Sequence, residues 1–105
     1  LVSIAAVTLK SVTIHPEALK EAEAATAWYA ERSHRAATEF LNEISDAIDR
    51  LTKQPLQCPE FTFGTRRALL HKFPYAIVFR ETATDIEIVA IAHGRRRPGY
   101  WRKRI

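Results

Sequence analysis

Glycine and cysteine are scarce in this chain, and each scarcity excludes a class of chemistry. The three glycines in 105 residues are Gly64, Gly94 and Gly99. They leave no glycine-rich loop for a phosphate and no G-x-S-x-G elbow for a serine nucleophile, so nucleotide-binding and serine-hydrolase readings drop out. The single cysteine, Cys58, has no partner for an internal disulfide and is too little thiol for a structural zinc site, which fits a reducing cytoplasm. The four histidines, His15, His34, His71 and His93, are scattered without an H-x-x-H or H-x-x-x-H pair. No metal and no cofactor is expected. Long apolar runs are missing too. Leu1 to Leu9 is broken by Ser3 and Thr8 and lacks a basic leader, so neither a signal peptide nor a membrane helix is read there. Residues 1–10 are set apart as an N-terminal extension whose status the sequence leaves open, and 11–105 as one domain.

Acidic residues are short in only one part of the chain. Residues 1–60 hold six Lys/Arg against nine Asp/Glu, and residues 61–105 hold ten against three, local balances of −3 and +7. The end from Gly94 to Ile105 carries six cations, two adjacent aromatics and no acid. Such a segment can neutralise phosphates and stack on bases, or be covered by an acidic protein partner. A hydrophobic content of 47% with 27% charged residues is ordinary for a folded domain.

The pattern along the chain predicts an α+β domain. Ser11 to His15 is a short β-branched run ended by Pro16, which suits the first position of a helix. Pro16 to Arg32 is rich in Ala and Glu, with Glu17 and Glu21 placed to favour the helix dipole and Leu19, Ala22, Ala25, Thr26 and Tyr29 on one face. Ser33 can cap a second helix whose apolar residues, Ala37, Phe40, Leu41, Ile44, Ile48 and Leu51, recur every three or four positions until Pro55. So short a joint predicts an antiparallel hairpin. After an irregular stretch, strand-like runs at 65–71, 75–81 and 85–93 are separated by short connections, which predicts an antiparallel meander. The last run is apolar on both faces toward its end, as a central strand covered on both sides requires. The expected architecture is an N-terminal strand and an antiparallel two-helix hairpin packed on a small, mainly antiparallel four-stranded sheet.

Candidate functional residues follow from the cation excess. Arg67, His71, His93 and Arg95 are expected near one another, with Arg66 facing the other way because side chains alternate along a strand. Asp46 and Asp49, three apart on the second helix, read as a solvated face.

Three segments carry a family resemblance: Ile14-His15-Pro16-Glu17-Ala18, Phe73-Pro74-Tyr75-Ala76-Ile77-Val78-Phe79, and Ile91-Ala92-His93-Gly94-Arg95-Arg96-Arg97-Pro98-Gly99-Tyr100-Trp101. Together they look like toxins of the RelE/ParE superfamily, over roughly residues 11–105. The resemblance implies a cytoplasmic type II toxin, a growth-inhibiting plasmid-stabilisation protein, with a cognate antitoxin as its partner. RelE-like members are ribosome-dependent messenger RNA endoribonucleases, whereas ParE-like members trap DNA gyrase on cleaved DNA.

RNA cleavage needs a base, cations for the phosphorane charge and an acid for the leaving oxygen. Carried over from the RelE pattern, Arg67 and Arg95 match basic positions and Tyr100, or its neighbour Trp101, matches the tail tyrosine. Two further cations fall on Leu69 and Ala76. An endoribonuclease would therefore rest on Arg67, His71, Arg95 and Tyr100. Target or nucleic-acid binding is assigned to His93, Arg95, Arg96, Arg97, Tyr100 and Trp101. The missing cations favour gyrase inhibition; the alternatives are messenger RNA cleavage and a non-toxic, antitoxin-binding relative.

Overall fold

The structure is a computed structural model that describes residues 10–105. The nine residues before Lys10, most of the extension set apart above, lie outside the described residues. Lys10 itself is tied to the sheet by bonds from its ammonium to Glu81 (2.8 Å) and to the Thr82 carbonyl (2.7 Å).

Strand β1, Ser11–Ile14, leads into helix α1, Pro16–Arg32. His15 caps α1, its Nδ1 accepting from the Glu17 amide, and proline occupies the first turn, where its missing N–H costs nothing. Helix α2 spans His34–Lys53. Ser33 alone forms the joint, donating its N–H to the Tyr29 carbonyl to close α1 and accepting at Oγ from the Ala36 amide to open α2. With one residue between them the helices fold into the expected hairpin.

Two details of the apolar faces differ from the spacing. Leu19 and Leu41 are each 49% exposed, and α1 packs through Ala18, Ala22, Ala25 and Tyr29 instead. Small side chains let the helix lie close to the sheet, so its buried stripe is centred one residue away from Leu19.

The sheet contains β2, Arg66–Leu69, β3, Tyr75–Glu81, and β4, Asp85–His93, in the order β1-β4-β3-β2. β1 runs parallel to β4, and the other pairs are antiparallel. Phe79 pairs with Ile88 but Val78 pairs with Ala90, so Val89 is an extra residue, a β-bulge. The bulge changes which residues face which side. Ile86, Ile88 and Ile91 meet the helices, with Ile77, Phe79 and Phe40, while Val89 and Ala90 turn to the back face beside Val78 and Trp101. Two apolar layers therefore enclose β4, one under the hairpin and one under the C-terminal tail. No helix among the described residues is long and apolar enough to cross a membrane.

Candidate functional site

The back face is built by the tail folding over β3 and β4. Trp101 is 1% exposed and packs on Val78, Val89 and Ala90. Phe61 and Phe63 flank it with ring centroids at 6.1 and 6.0 Å. Two backbone conformations make this packing possible. Gly99 has φ +88°, and a Cβ there would sit 2.5 Å from the Phe63 ring, so only glycine lets the tail pass so close. Phe63 itself takes a left-handed φ of 58°, a strained choice for a bulky residue that the packing of its ring offsets.

Three arginines lie flat over this aromatic cluster. Arg67 covers Phe61 at 4.2 Å, Arg96 covers Tyr100 at 3.7 Å and Arg102 covers Phe63 at 4.5 Å. Guanidinium groups held over rings keep their edge donors outward and gain cation–π attraction. Between Arg67, Arg96 and Arg97 runs a groove of 230 Å³ whose floor includes Leu69, Ala76, Val78 and Ala92, and no Asp or Glu lines it. The face is thus an apolar floor rimmed by cations without local acids.

One carboxylate holds the tail in place. Glu21 of α1 accepts from the Tyr100 hydroxyl (2.6 Å), from Arg104 through Nη1 (2.9 Å) and Nη2 (3.0 Å), and from the Ile91 amide (3.0 Å). Arg104 Nη1 also donates to the Val89 carbonyl at 3.0 Å. Burial alone would raise the Glu21 pKa, but donation by Arg104, Tyr100 and the Ile91 amide, with the charge of Arg104, holds it below its ordinary value. Burial and the Glu21 carboxylate push the Tyr100 phenol well above its usual range. Tyr100 is therefore a neutral donor near pH 7.

The residues expected at the site divide into four groups. Arg67, His93, Arg96, Arg97 and Tyr100 all line the arginine-rimmed groove. Arg95 follows on the outer turn, its amide bonded to His93 Nδ1, and its side chain does not line the groove. His71 is elsewhere. β2 ends at Leu69, so the alternation that would align His71 with Arg67 stops, and Glu43 of α2 accepts from the amides of His71 and Lys72. Trp101 is a packing anchor, its indole sealed beneath the tail.

Leu69 and Ala76, where the RelE pattern has cations, are direct cross-strand partners. They form one apolar patch, with Leu69 60% exposed, and His71 is too displaced to stand in for them. Sequence reasoning missed Glu21 as the tail's anchor and Phe61 and Phe63 as its bed. The signal for Glu21 was present: an acid at helical spacing within the buried face of Ala18, Ala22 and Ala25 needs a partner. Among the described residues, no group of three or more His, Cys, Asp or Glu is placed to hold a metal ion.

A second groove, 510 Å³, lies between α1 and the edge of β4 that β1 leaves uncovered. Ala24, Trp28, Tyr29, Tyr75, His93 and Tyr100 are among the residues that line it, and Trp28 is 52% exposed.

Comparison with known proteins bears on this arrangement. A family model described as the ParE toxin of the type II toxin–antitoxin system parDE matches residues 12–98. The fold is similar to a solved chain of a chromosomal ParDE toxin–antitoxin system from P. aeruginosa, at a TM-score of 0.71 and 20% identity, covering 81% of this chain and 96% of that one. No curated protein sequence matches at a significant level.

Proposed function

This chain belongs to the ParE toxin family of type II toxin–antitoxin systems, and from that we propose that it arrests growth in the cytoplasm by engaging DNA gyrase through the arginine-rimmed back face, until a cognate antitoxin neutralises it. The observation that carries the choice of target is the paired apolar patch of Leu69 and Ala76 on the groove floor. A phosphorane forming there would meet no cation from either position, and each missing stabilising group costs orders of magnitude in rate. The state of Tyr100 supports the same reading, since a neutral phenol committed to Glu21 is no general base. Binding without hydrolysis needs only what the face has: fixed cations, an apolar floor and exposed Leu69.

The test is expression of the chain without its antitoxin. Growth arrest with DNA breaks and an SOS response is expected. Arrest accompanied by messenger RNA 5′ ends inside translated codons would replace gyrase with RNA cleavage, and absence of arrest at good expression would leave a non-toxic antitoxin-binding relative.

A further inference from the structure

β4 has nine residues and β1 only four, so their pairing ends at Ile14 opposite Ile88. Beyond that point the β4 edge turned away from β3 still carries backbone donors and acceptors, and an edge of that kind is a template for another strand. Two groups are satisfied by side chains instead of a strand. The Val89 carbonyl accepts from Arg104, and the Ile91 amide donates to Glu21. Because the Ile91 amide points away from β3, the Ile91 carbonyl and the His93 amide point the same way by the two-residue period of a strand. Neither has a bond from another part of the described chain. Both open into the 510 Å³ groove under α1, where Ala24 and Ala25 present small side chains and leave room beside the sheet.

We propose that an extended segment of the antitoxin adds to this edge parallel to β4, continuing the line of β1, with one of its residues opposite Ala92. In a parallel pair a single residue donates its N–H to the carbonyl before its partner and accepts from the amide after it. Those groups are the Ile91 carbonyl and the His93 amide. Antiparallel addition would instead require the Ile91 amide, which Glu21 already occupies. The groove selects the segment's chemistry: apolar side chains at alternate positions against Trp28, Tyr29 and Tyr100, and a carboxylate within reach of Arg96, the one cation lining the groove. Glu21 is neutralised by Arg104 and does not repel it.

The inference rests on the toxin–antitoxin reading, and its test separates the two. The ¹⁵N-labelled chain is compared free and in complex with the antitoxin encoded beside it, by residue-resolved amide exchange. In the complex the His93 amide is expected to exchange about a hundredfold more slowly. Ala24→Arg, which projects a long side chain into the groove, should weaken the complex by about tenfold or more relative to Ala27→Arg on the outer face of the same helix. If the antitoxin binds and reverses growth arrest while His93 exchanges at its free rate, or while both arginine variants bind equally, the strand addition is wrong and the toxin reading stands. If the antitoxin neither binds nor reverses arrest, both fall.

Discussion

Glu21 shows how much one side chain can decide. Its carboxylate takes four hydrogen bonds from three places in the chain, and with Arg104 it is mostly buried. Glu21→Gln keeps the shape but loses the charge, and should cost about 2 kcal/mol at neutral pH. Because the folded-state pKa lies below the ordinary value of 4.5, this contribution is full above that value and fades as the pH falls through the folded pKa. Denaturant unfolding of wild type and Glu21→Gln should therefore differ at pH 7 and converge in acid; a constant gap would refute the assignment. Trp101 gives a second contrast. Trp101→Ala should cost about 3–5 kcal/mol through the cavity it leaves, whereas alanine at exposed Arg102 should cost under about 1 kcal/mol. Comparing their thermal midpoints would expose Trp101 as a surface contact if the two losses were equal.

At the scale of elements, Ser33 and Gly99 are the points where the chain's course depends on one residue. Ser33→Ala removes the acceptor for the Ala36 amide and should cost about 1 kcal/mol, read as faster amide exchange in the first turn of α2. Gly99→Ala meets both a positive φ and the Phe63 ring and should cost about 1–3 kcal/mol, with loss of near-ultraviolet signal from Trp101. The elements themselves were legible because local signals agreed: Pro16, Ser33 and Pro55 punctuate the helices, and Tyr75–Glu81 and Asp85–His93 have the bounds read from their apolar runs. The face assignments in β4 were not legible. Simple alternation puts Ile86, Ile88, Ala90 and Ala92 on one side, and nothing local announces the bulge at Val89 that moves Ile91 to the helices. The same limit hid the burial of Trp101. A tail of alternating arginines and aromatics reads as an exposed strip until the bulge supplies an apolar face for it to cover. His71 was misplaced because Glu43, twenty-eight residues away, ends the strand's alternation through a contact that only the hairpin's position creates.

The whole molecule separates its surfaces by charge and by chemistry. One groove is rimmed by arginines without acids, and the other is aromatic, with an open strand edge. Charge reversal at Arg67 or Arg97 should abolish growth arrest and leave antitoxin affinity within about threefold, while Arg95→Ala should change both little, because its side chain is off the groove. Colony formation on induction, with titration calorimetry against the antitoxin, checks this; loss of both activities together would mean that one face serves both partners. The bond from Arg104 to Glu21 spans 83 residues, and during synthesis that distance becomes time. Strands and helices can associate as they leave the ribosome, because their mutual contacts lie upstream. The arginine-rimmed face cannot, since Trp101 and Arg104 emerge after every element they fasten. Each newly made molecule thus passes through an interval in which its aromatic groove is already bounded by α1 and β4 while its tail is still unclamped. An antitoxin present in that interval meets a chain that has not yet become harmful.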